Sequence, residues 1–133
     1  MIYGIGVDLV NVRRMERVLE RWGGRFVSRV FTRAEAELCR SRVFPPSAFA
    51  MRFAAKEAFS KALGLGMRKG LRWWDIEVYH HPGGRPGLKA HGRSSEICLE
   101  ERITGMHLSL SDDGDYGIAM VVLEKNDAAG AIL

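Results

Sequence analysis

The chain opens on an apolar run, Ile2 to Asp8, with Gly4 and Gly6 at alternate positions, a pattern that predicts a short buried strand. Val12, Met15, Val18, Leu19 and Trp22 then recur at helical spacing. Arg13, Arg14, Arg17 and Arg21 occupy the other faces, so an amphipathic helix is expected from about Asn11 to Trp22, stopped by Gly23 and Gly24. Thr32-Arg33-Ala34-Glu35 has the spacing of a capping box and predicts a helix running toward Arg40. Pro45 and Pro46 are read as a break, and Ser47 as the N-cap of the next helix. In that helix Phe49, Met51, Phe53, Ala54, Ala58, Phe59, Ala62 and Leu63 cover more than one face, which makes it central to the core. Gly64 and Gly66 end it.

Beyond those glycines the period changes to two. Trp73, Asp75, Glu77 and Tyr79 alternate with Trp74, Ile76 and Val78, predicting a strand within Leu71 to His80. His81-Pro82-Gly83-Gly84-Arg85-Pro86 is turn material before a short strand near Leu88 to His91. Ile97, Leu99 and Ile103 indicate a helix ending at Gly105. Met106 to Ser111 and Tyr116 to Glu124 form a hairpin around Asp112-Asp113-Gly114-Asp115, and the tail 126–133 is expected to fray. This order implies an α+β fold, a small antiparallel sheet packed on helices with one long central helix. A sheet of that size leaves an edge and an apolar face to be covered, which favours self-association.

A length of 133 residues corresponds to one domain spanning 1–133. Cys39 and Cys98 have no zinc or disulfide spacing and are read as reduced thiols. There is no signal-peptide pattern and no apolar run of membrane-spanning length, so a soluble cytoplasmic protein is expected. The net charge of +4 is concentrated: nine arginines and four glutamates lie between Arg13 and Arg42, an excess of five. Such a surface attracts acidic partners. By charge alone these could be a protein, a nucleic acid or an anionic membrane.

The segment with the most chemistry is Arg52 to Ala62, R-F-A-A-K-E-A-F-S-K-A. Glu57 and Lys61 stand at i and i+4 on one helical face, offering a cation ligand beside a phosphate-binding ammonium. Asp8, closing the first strand, is a second candidate carboxylate. Singly, a Glu-x-x-x-Lys pair is a surface ion pair worth a few tenths of a kcal/mol, and an aspartate after a strand is a helix cap. Together they point to phosphate-ester chemistry assisted by a hard divalent cation.

Four motifs in order carry a resemblance: G-I-G-V-D-L-V from Gly4, R-F-A-A-K-E-A-F-S-K-A-L-G-L-G from Arg52, W-D-I-E-V from Trp74, and M-H-L-S-L-S-D from Met106. From about Ile2 to Glu124 the chain resembles the bacterial holo-acyl-carrier-protein synthases, the short phosphopantetheinyl transferases. The resemblance implies transfer of the phosphopantetheine arm of coenzyme A to a serine of apo-acyl carrier protein, within fatty acid biosynthesis and with release of adenosine 3′,5′-bisphosphate. It also implies a homotrimer with sites between subunits. Mg²⁺ would be held by Asp8 and Glu57. Glu57 would help to deprotonate the serine, directly or through a bound water, and Lys61 would stabilise the departing diphosphate oxygen.

By the same resemblance Arg52 meets the 3′-phosphate of coenzyme A, a task its planar fork suits. Gly64 and Gly66 flank the diphosphate end, although Leu65 between them lacks the hydroxyl of the threonine frequent in the family. His107, sharing a strand face with Ser109 and Ser111, lines the nucleotide pocket. Arg13, Arg14, Arg17 and Arg21 dock the acidic carrier. His80 and His81 are read as turn residues. Neither nucleic acid nor membrane is an expected partner. A basic nucleic-acid-binding module and a magnesium-dependent phosphohydrolase are the alternatives the residues alone leave open.

Overall fold

The computed structural model describes Met1–Asn126; the expected fraying of the tail falls on residues outside the described ones, apart from Asn126. Strand β1 (Ile2–Asn11) leads into α1 (Val12–Trp22), α2 (Gly24–Val30), α3 (Arg33–Arg40) and α4 (Pro45–Leu63). Next come β2 (Ile76–His80), β3 (Pro86–Ala90), α5 (Gly92–Glu100), β4 (Ile103–Asp113) and β5 (Tyr116–Lys125). One antiparallel sheet has the order β1-β5-β4; β2 and β3 pair separately, also antiparallel. The α+β class expected from the sequence is the one observed.

Helix α4 is the hub. Eleven of its 19 residues are buried, among them Phe49, Ala54, Ala58, Phe59 and Ala62, which is why its apolar residues run round more than one face. It packs across the three-stranded sheet against the inner face formed by Val10, Leu108, Ala119, Val121 and Leu123. Contact with β1 is backbone to backbone. A Cβ on Gly4 would lie 2.0 Å from the Ala62 carbonyl oxygen, and one on Gly6 1.8 Å from that of Ala58.

Several local expectations are corrected. β1 is buried on one face only: Ile5, Val7 and Leu9 point outward, because α4 covers just the glycine side. Pro45 and Pro46 begin α4 instead of breaking the chain, since their fixed φ and missing N–H suit a first turn. Phe44, not Ser47, is therefore the N-cap. Gly23 does end α1, yet α2 follows at once and was not foreseen. The stretch from Leu71 starts with a 3₁₀ turn, Trp73–Asp75, and extends as a strand only from Ile76. Asp75 is buried there, its carbonyl accepting from the His91 N–H at 2.7 Å. α5 stops at Glu100, and Ile103 already belongs to β4.

Candidate active site

Asp8 follows Gly4 and Gly6 on the inner face of β1. Their registry against Ala62 and Ala58 sets Asp8 one further helical turn along α4, where Glu57 projects. Lys61 comes from the next turn. Its ammonium donates to Asp8 Oδ1 at 3.0 Å and to the Val7 carbonyl at 3.0 Å. Burial pushes the Glu57 carboxyl above the usual carboxylate range, Asp8 pushes it further, and Lys61 opposes both. Two carboxylates in mutual repulsion beside one ammonium form a site that a divalent cation would relieve.

Both carboxylates line a cleft of about 340 Å³ whose remaining wall includes Asn11, Arg14, Val18, Phe26 and Phe53. No third His, Cys, Asp or Glu joins them among the described residues. That set fits Mg²⁺, which takes one or two carboxylates and completes its octahedron with water and substrate phosphates. Zinc would need more protein ligands. Phe53 is held by stacking on Trp73, with centroids 4.9 Å apart.

The other sequence candidates lie in four separate places. Arg52 is buried and turned toward the end of β2. It donates to the Ala48 carbonyl at 3.3 Å and sits 3.5 Å from His80 Nδ1, while its Nε has no partner among the described residues. Burial, then Arg52 and Arg42, lower the His80 pKa. The sequence reads His80 as a turn residue, but it is the last residue of β2. Gly64 and Gly66 close α4 beyond Lys61 with φ of +80° and +63°; a Cβ on either would meet nothing, so backbone conformation alone calls for glycine there.

His107 is on the outer face of β4, away from the inner face that carries Asp8. Its Nε2 lies 2.5 Å from Glu124 Oε1, and this bond holds Glu124 below the usual carboxylate range.

Along α1 the four arginines are exposed, but not equivalent. Arg13 is engaged by Glu16 and Asp115, each at 3.2 Å, whereas Arg14 borders the carboxylate cleft. Arg21 lies over the Trp22 ring. A wider hollow of about 720 Å³ is lined by Trp22, Arg25, Phe26, Ser28 and Arg29, and shares Phe26 with the cleft. Arg25 and Arg29 went unassigned by sequence because α2 was missed; their four-residue spacing around Phe26, Val27 and Val30 was the available signal.

Residues 4–121 match the model of the 4′-phosphopantetheinyl transferase superfamily. A relative from Geobacter metallireducens named holo-(acyl-carrier-protein) synthase is 43% identical over 125 residues, covering 94% of this chain and 99% of its own. The crystal structure of the Neisseria meningitidis synthase superposes with a TM-score of 0.88 at 38% identity, over 94% of this chain and 100% of that one. The Helicobacter pylori synthase, solved in complex with coenzyme A, gives 0.80 at 33% identity, over 90% and 99%.

Proposed function

The chain belongs to the 4′-phosphopantetheinyl transferase superfamily, and we propose from that premise that it transfers the 4′-phosphopantetheine group of coenzyme A to a serine hydroxyl of apo-acyl carrier protein. The serine oxygen attacks the diphosphate, the bond to the nucleotide half breaks, and adenosine 3′,5′-bisphosphate leaves. The observation that carries the reading is that Asp8 and Glu57 line one cleft while the Lys61 ammonium bonds the Asp8 carboxylate at its edge.

Asp8 and Glu57 are the residues to hold Mg²⁺, and when bound the ion neutralises diphosphate charge. Glu57 would help to remove the serine proton, directly or through a bound water. Lys61 exchanges its contact with Asp8 for the diphosphate and steadies the leaving oxygen. Arg52, a buried guanidinium whose Nε has no partner and which meets no carboxylate among the described residues, suits the 3′-phosphate.

The basic faces of α1 and α2 fit an acidic protein, with Arg14, Arg17 and Arg21 joined by Arg25 and Arg29 beside the cleft. Self-association has its own support. Val7 pairs with Met120 and Leu9 with Ile118 on the outer face of the sheet, and these four side chains are 41–65% exposed. His107 pairs with Val122 on that face. Covering this surface with neighbouring copies in a homotrimer brings His107 toward a site shared between subunits. A cytoplasmic role in fatty acid biosynthesis agrees with two buried free thiols, and among the described residues no helix is long and apolar enough to cross a membrane.

Product analysis tests the reaction class. Adenosine 3′,5′-bisphosphate should appear only when coenzyme A, Mg²⁺ and apo-carrier are all present. Release without carrier would replace the transferase by a hydrolase.

A further inference from the structure

Lys56 and Glu35 form the one ion pair among the described residues with both side chains fully buried, Nζ to Oε1 at 2.7 Å. The ammonium also donates to the carbonyls of Trp73, at 3.1 Å, and Ile76, which uses all three of its N–H groups. Glu35 Oε1 accepts from Thr32 N–H at 2.9 Å and its Oε2 from Val78 N–H at 2.8 Å. The pair thus ties α4 to α3, to the 3₁₀ turn and to β2. Such saturation is uncommon for a surface that only needs covering, because apolar residues of similar volume often serve stability equally well.

What the pair adds is orientation. At Gly4 and Gly6 β1 presents bare backbone to α4, so no β1 side chain interlocks with the helix at those two positions, and the Lys61–Asp8 bond ties the two elements from the same side. Lys56 precedes Glu57 directly, so the two side chains leave the helix about 100° apart. We propose that the Lys56–Glu35 pair is a positioning device that fixes the rotation of α4 and so holds the Glu57 carboxylate opposite Asp8. This rests on reading Asp8 and Glu57 as the cation ligands. Side chains reach roughly 5–6 Å from a helix axis, so a turn of about 15° displaces Glu57 by roughly 1.5 Å. Displacements of ~1 Å can cost about 100-fold in rate.

The test compares wild type with Lys56→Met/Glu35→Gln, which removes both charges together, and with Glu35→Asp, which keeps the charge but shortens its reach. Mn²⁺ binding in the presence of coenzyme A is followed by electron paramagnetic resonance, beside kcat and urea unfolding. The expected result is a rise of about tenfold in the Mn²⁺ dissociation constant and a 10–100-fold fall in kcat for the double variant, with smaller shifts in the same direction for Glu35→Asp. A purely structural role would lower the urea midpoint and leave Mn²⁺ affinity in the folded protein unchanged. Wild-type Mn²⁺ affinity and kcat in a folded double variant overturn the proposal; if that variant does not fold, the same result in Glu35→Asp does so. Asp8→Asn separates the two readings, because Mn²⁺ affinity unaffected by that change overturns the ligand assignment itself.

Discussion

Replacing Gly6 by alanine changes one methyl group and loads it onto the contact that aligns the site. The new Cβ would stand 1.8 Å from the Ala58 carbonyl oxygen and 2.7 Å from the Ala62 nitrogen, both backbone atoms of α4. Reaching even a tight contact of 3.0 Å requires β1 and α4 to part by about 1.2 Å. Overpacking of this kind costs ~1–3 kcal/mol, so the urea midpoint should fall while the protein still folds. Asp8 lies two residues along the same strand face and Glu57 immediately precedes Ala58, so much of the displacement is imposed on their separation. Given the ~100-fold sensitivity of catalysis to ångström-scale misplacement, turnover should fall ~10–100-fold and more Mg²⁺ should be needed for half-maximal rate. The assay is conversion of apo- to holo-carrier across a magnesium titration. Gly24→Ala is the control, since a Cβ there meets nothing within 4 Å. Wild-type stability and a rate within twofold for Gly6→Ala would refute this reasoning.

Further consequences can be checked on the same protein. Because the folded-state pKa of Glu57 is raised, its contribution to stability is present below the unfolded value and is lost as pH rises through the folded one. Metal-free Glu57→Gln should therefore unfold at a higher temperature than wild type at neutral pH, while its transfer activity is abolished; a lower melting temperature would contradict this sign. Arg14→Ala, Arg17→Ala and Arg21→Ala should each weaken carrier binding, and wild-type affinity should drop as salt rises; titration calorimetry at two ionic strengths decides, and salt-independent affinity would remove the docking surface. Val7→Glu on the outer sheet face should shift the protein toward monomer by light scattering and reduce turnover. Unchanged mass and activity would locate the assembly surface elsewhere.

Much of the fold could be read from local pattern, and the exceptions share a cause. α4 was legible because a long run of apolar residues covering more than one face is closed by two glycines, and the capping box at Thr32 and Glu35 is present as expected. Pro45 and Pro46 misled because a proline pair reads equally as a break or a first turn, and only the packing of Phe49 beyond it decides. Trp73–Asp75 continued a period-two pattern, yet curls because Asp75 is drawn inward beside His91 and Ser94. Within the site, Gly4 and Gly6 carried the needed signal: alternate glycines mark a strand face on which another backbone lies, and that approach brings Asp8 to Glu57. Long-range pairings left no such mark. Glu35 was visible as a cap, but its bond to Lys56 spans 21 residues, and the Arg52–His80 contact spans 28.

Intact mass spectrometry of apo-acyl carrier protein, incubated with this protein, coenzyme A and Mg²⁺ and paralleled by an EDTA control, tests the transferase reading most directly. A gain of about 340 Da, the phosphopantetheine group moved by phosphoryl transfer, should appear with the metal and vanish with the chelator and in Glu57→Gln. An unchanged carrier mass under conditions where a known synthase modifies the same carrier would contradict it.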